Sequence, residues 1–72
     1  MPRRLKLTPL QRDVLWMLEE AGSETVGTII ATLKPDEKEL EVQVDQLEEL
    51  GLVSKFGTSV ELTKKGRVAL TT

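Results

Sequence analysis

Apolar residues recur from Leu10 through Val14, Met17 and Leu18 to Ala21, at i, i+4, i+7, i+8 and i+11. That spacing is one stripe of an α-helix. Thr8-Pro9-Leu10-Gln11 sets its start, with a capping hydroxyl, a proline at the first helical position and a glutamine three residues after the cap. Gly22 supplies the stop, so a helix is predicted over Pro9 to Ala21. In Ser23 to Lys34 two signals compete. Thr25, Val26, Thr28, Ile29, Ile30 and Thr32 are β-branched, which favours a strand. Val26, Ile29, Ile30 and Leu33 fit i, i+3, i+4, i+7, and strict alternation would put Ile29 or Ile30 in water. The spacing predicts a second helix, capped by Ser23 or Thr25 and ended at Lys34 by the following proline.

Asp36 then caps a third helix, with Glu39 at its third position and Leu40, Val44 and Leu47 on one face. Leu50 lies at the flank of that face, Gly51 is the stop and Leu52 closes the end. After Gly51 the period falls to two. Leu52–Phe56 and Ser59–Thr63 flank Gly57-Thr58, a two-residue loop suited to a type II′ turn. The predicted register pairs Val53 with Leu62 and Lys55 with Val60. Thr63 can cap a last short helix, Lys64 to Leu70. Residues 1–6 are expected to form a flexible basic arm and residues 7–72 a single domain.

Composition removes most chemistry. The chain has 72 residues, 39% of them hydrophobic and 31% charged, which suits one small globular domain. Such a domain buries only about 60% of its unfolded surface and has no chain to spare for a deep cleft. Without Cys or His there is no thiolate, imidazole base or His metal ligand. Ser23, Ser54 and Ser59 therefore have no activating base. The sequence has no phosphate-binding glycine loop and no metal-ligand spacing. A non-enzymatic protein is expected, with no catalytic, cofactor-binding or metal residues. No apolar run approaches the roughly 20 residues that span a bilayer, so the chain reads as cytoplasmic by elimination.

Charge changes the picture more. From Asp36 to Leu50 seven acids face one lysine, a local charge of −6, whereas the rest of the chain carries +4. Arg3, Arg4, Lys6 and Arg12 gather at one end, and Lys64, Lys65 and Arg67 at the other.

The order helix, helix, helix, hairpin, short helix resembles the winged helix-turn-helix family. Val26-x-x-Ile29-Ile30-x-x-Leu33 looks like the family's second helix, and Lys34-Pro35-Asp36 sits where its corner belongs. Leu47-x-x-Leu50-Gly51-Leu52-Val53 is similar to the run from recognition helix into hairpin. Leu62-Thr63-Lys64-Lys65-Gly66-Arg67 resembles the hairpin exit of MarR- and PadR-type regulators. The resemblance implies an α+β fold of three helices, a two-stranded hairpin with a very short wing, and a short C-terminal helix. It also implies transcription regulation, with the third helix in the DNA major groove and the wing on the flanking backbone.

The third helix departs from that pattern. Its outward face carries Lys38, Glu41, Val42, Asp45 and Glu49. A carboxylate about 6 Å from a phosphate meets roughly 0.7–3 kcal/mol of repulsion before screening. Two readings follow. In the first, Arg3, Arg4, Lys6, Lys55, Lys64, Lys65 and Arg67 hold duplex DNA by its backbone. In the alternative, Glu41, Asp45 and Glu49, with or without Trp16, contact a basic protein partner. Trp16 points away from Leu10 and Val14, either as a partner or dimer contact or covered by the arm or the last helix. A monomer or weak dimer is expected, since dimerising regulators of these families add further helices.

Overall fold

Thr8 opens the first helix, α1 (Pro9–Ala21), in the computed structural model, which describes residues 7–70. Thr8 Oγ1 accepts the Gln11 N–H at 3.1 Å and Gln11 Oε1 accepts the Thr8 N–H at 3.0 Å, the reciprocal pair the sequence predicts. Gly22 ends the helix at φ +84°, its N–H donating to the Leu18 carbonyl. The buried arc of α1 is Gln11, Val14, Leu15 and Leu18, rotated about one residue from the predicted stripe. Leu15 is inside, while Leu10 and Met17 are half-buried and Ala21 is exposed. The rotation follows from what covers the helix: Gln11 Nε2 donates to Gln46 Oε1 on the third helix at 3.1 Å, drawing that flank inward.

The predicted helix from Ser23 is corrected in its first turn. Ser23–Thr25 is a strand, β1, and the helix α2 runs only over Val26–Leu33. β1 lies antiparallel to the later strand β3 (Ser59–Leu62), pairing Ser23 with Glu61 and Thr25 with Ser59. A bare hairpin would leave the outer edge of β3 with unpaired backbone groups, and β1 satisfies them. Thr25 then changes role and caps α2, its Oγ1 accepting the Thr28 N–H at 3.1 Å. Ile29 is fully buried, and Val26, Ile30 and Leu33 pack at the edge of the core. Before Pro35, Lys34 leaves the right-handed region for the left-handed one, at φ 53°.

The third helix, α3 (Glu37–Glu49), is capped by Asp36, whose carboxylate accepts the N–H groups of Lys38 and Glu39. Leu40, Val44 and Leu47 are buried as predicted. Its C-terminus is a Schellman closure. The Leu52 N–H donates to the Leu47 carbonyl and the Gly51 N–H to that of Glu48, with Gly51 at φ +78°. β2 (Val53–Phe56) and β3 form the hairpin, in the predicted register of Val53 with Leu62 and Lys55 with Val60. Gly57 has φ +61°, and Lys34 is the only non-glycine residue of positive φ among those described, which fits a type II′ turn. The expected two-stranded hairpin is therefore present, and β1 adds a third strand at the outer edge of β3, giving a sheet in the order β1-β3-β2.

The last helix, α4 (Lys64–Leu70), starts at Thr63, whose Oγ1 accepts the Gly66 N–H and donates to the Gly51 carbonyl at 2.6 Å. That one hydroxyl joins the end of α3 to the start of α4. Leu18, Ile29, Leu40, Leu47, Leu52 and Val60 are among the residues of a single hydrophobic cluster beneath these elements. Arg3, Arg4, Lys6 and the rest of the predicted arm lie outside the described residues.

Candidate functional site

The helix-turn-helix unit is α2, the Lys34–Asp36 corner and α3. With Leu40, Val44 and Leu47 turned inward, α3 presents Lys38, Glu41, Val42, Asp45 and Glu49 to solvent, and all five are exposed. Glu37 and Glu48 are exposed beside them. The acidic face expected from the sequence is therefore the outer face of α3.

The expected basic residues are scattered. Lys55 projects from β2 toward α3, where its Nζ meets Asp45 Oδ1 at 2.9 Å. The hydrogen bond that Lys55 donates to Asp45, with the charges of Asp45, Glu48 and Glu41, raises the Lys55 ammonium above its usual pKa of 10.5, against the opposing pull of partial burial. Arg67 Nε lies 3.2 Å from Glu19 Oε2, tying α4 to α1. Lys64 and Lys65 are exposed at the hairpin exit and carry no ion pair among the described residues. The Lys65 side chain passes beside Gly51, near the carbonyl end of α3, where a cation is favoured. The structure thus engages two of the four described candidates and leaves two open to solvent.

Between α2, the start of α3 and the hairpin turn lies an open groove of about 330 Å³. Val26 and Ile30 line it with Glu37, Glu41, Lys55, Gly57 and Thr58. The Val26 N–H donates to the Thr58 carbonyl at 2.8 Å and pins the turn to the start of α2. Sequence reasoning missed this groove because it depends on β1 bringing α2 against the hairpin. It also missed the polar seam of Thr8 with Gln43 and Gln11 with Gln46. The seam did have a signal: Gln11 falls on the same helical spacing as Val14, Leu15 and Leu18.

Trp16 is 50% exposed, so the expected cover from the last helix is at most partial. Phe56, at the end of β2, is 67% exposed.

No protein-family model and no curated protein matches the chain. Solved structures do. The reduced form of MarR from E. coli superposes over 93% of the chain with a TM-score of 0.85 and 28% identity. The transcriptional repressor CouR, bound to p-coumaroyl-CoA, superposes over 92% with a TM-score of 0.80 and 31% identity. YusO from Bacillus subtilis superposes over 90% with a TM-score of 0.82 and 25% identity. The chain spans about half the length of these structures: 51%, 49% and 51%. It has the winged helix-turn-helix fold of MarR-type transcription regulators. Among the described residues no helix is long and apolar enough to cross a membrane.

Proposed function

We propose that this winged helix serves a transcription regulator and holds duplex DNA by its phosphates, with α3 kept out of the major groove. Lys64 and Lys65 are the contacts among the described residues, joined by Arg3, Arg4 and Lys6 from the N-terminal segment. One observation carries the reading. Lys64 and Lys65 are exposed without ion pairs at the hairpin exit, while the outer face of α3 is lined with carboxylates. The likeness to MarR and to the repressor CouR supports DNA as the partner. Lys55 and Arg67 contribute less, since Asp45 and Glu19 already hold them.

Phosphate contacts position a protein on DNA without reading sequence, so little preference among duplexes is expected. Titration of the full chain with duplex DNA across salt tests this. Four to five contacts give a log–log slope of about −4. Changing Lys64 and Lys65 to Ala flattens it by about two. A site-specific complex lost on changing Lys38 or Gln46 would overturn the exclusion of α3. Absence of binding at low salt would overturn DNA binding itself.

A second reading, protein contact through α3, is favoured by the exposure of Glu41, Asp45 and Glu49 together with the adjoining groove.

A further inference from the structure

The groove between α2, α3 and the hairpin turn has a shape and charge of its own. Its floor is apolar, from Val26 and Ile30, which stand one turn apart on α2. One wall carries Glu37 and Glu41, one turn apart on α3, and neither is ion-paired among the described residues. The opposite rim is the Gly57-Thr58 turn, held in place by the hydrogen bond between Val26 and Thr58. Lys55 closes one side, and its charge is already answered by Asp45. Backbone and ion-pair contacts fix the walls, so the groove is formed before anything enters it.

We propose that this groove docks a basic, partly apolar segment of a protein partner, with an alkyl side chain on Val26 and Ile30 and an ammonium or guanidinium at Glu37 and Glu41. The proposal rests on the protein-contact reading of α3 and is independent of Lys64 and Lys65. The charge pattern selects the occupant. Two carboxylates without an ion pair of their own among the described residues, over an apolar floor, complement a cation with an apolar stem and repel phosphate. The acid then continues along α3 through Asp45, Glu48 and Glu49. A helix of 13 residues is about 20 Å long, a length that about six residues of extended chain would follow. A small free amine would meet only the groove, whereas a protein segment meets the whole face.

Backbone NMR of the full chain, titrated with a peptide of about six alternating lysine and leucine residues, tests the assignment. The expected result is shift changes at Val26, Ile30, Glu41 and Thr58. Affinity should fall roughly tenfold in the double variant Glu37→Gln, Glu41→Gln. Both residues are exposed, so the variant retains its fold. Equal affinity for oligolysine would reduce the site to unspecific charge and overturn the apolar half of the proposal. Equal affinity for butylamine would overturn the protein segment as occupant. Self-association of the chain alone, abolished by the double variant, would give the groove to a second copy and overturn a separate partner. An undiminished affinity in the double variant, or no binding of the peptide, would overturn the site. The DNA titration reads different residues, so either proposal can fail alone.

Discussion

Gly66 sits where α4 packs tightly on the backbone of Leu52. It is buried in the first turn of that helix, and a Cβ there would overlap the Leu52 carbonyl oxygen and Leu62 Cδ1. A flexible neighbour could yield, but a backbone carbonyl following a Schellman turn cannot move without unseating α3. The Leu52 carbonyl also accepts the Thr63 N–H, which leads into the same helix. Alanine is the better helix former by about 1 kcal/mol, yet overpacking costs about 1–3 kcal/mol. The close contact is with backbone, so the packing cost prevails. Gly66→Ala should lower the urea midpoint. Gly27, in the first turn of α2, is the control: an added Cβ meets nothing nearer than Thr25 Oγ1 at 3.9 Å. Gly27→Ala should leave the midpoint unchanged or raise it. A loss of stability in Gly27→Ala equal to that in Gly66→Ala would show that chain flexibility, not the close approach to Leu52, explains both glycines.

At the scale of elements, what was legible depended on the distance over which each signal acts. The hairpin register was legible because the Gly57-Thr58 turn and the alternation on either side fix it locally. The cap of α1 was legible because Thr8 and Gln11 are neighbours. β1 was not, because Ser23–Thr25 becomes a strand only when β3 lies beside it, more than thirty residues away in the chain. The spacing of Val26, Ile29, Ile30 and Leu33 did identify α2 against a β-branched composition that lies almost wholly inside that helix; only Thr25 belongs to β1. The acidic face of α3 was equally legible, but not the capture of Lys55 by Asp45, which needs the α3–β2 turn to fold back. The two threonine caps differ for the same reason. Both side-chain bonds of Thr25 stay in the first turn of α2, with the Thr28 N–H and Thr28 Oγ1, whereas Thr8 donates from Oγ1 to Gln43 Oε1 across to α3. Thr25→Ala should cost about 1 kcal/mol, the usual loss of a cap. Thr8→Ala should cost more, by roughly 0.5–1 kcal/mol, because its second bond ties α1 to α3 while that of Thr25 stays within one turn. Thermal or urea unfolding of the two variants compares them, and equal losses would show that the Thr8–Gln43 bond contributes nothing.

The molecule as a whole sets its acids against its own wing. Asp45 on α3 holds Lys55, the one basic residue of β2 and β3, so the acidic helix both repels phosphate and withdraws a wing charge that could attract it. Lys55 is charged at neutral pH even at its ordinary pKa of 10.5, and Asp45 raises that further, so the ion pair, not lost charge, is what restrains it. The pair is solvent-exposed, with side chains 28% and 59% accessible, and such pairs contribute only about 0.2–1 kcal/mol, so breaking it should leave the fold intact. The consequence can be measured in DNA binding. Asp45→Asn removes one repulsive charge and frees Lys55, which should steepen the log–log salt slope by about one contact. Lys55→Ala alone should barely change the slope, because the wild-type lysine is already committed. In the double variant the gain from Asp45→Asn should shrink to the loss of repulsion, with the added slope gone. Fourfold dilution of salt makes one contact worth about 3.5-fold in affinity, well within the reach of a fluorescence anisotropy titration. If Asp45→Asn strengthens binding equally with and without Lys55, the ion pair plays no part and repulsion by the α3 carboxylates alone limits contact with DNA.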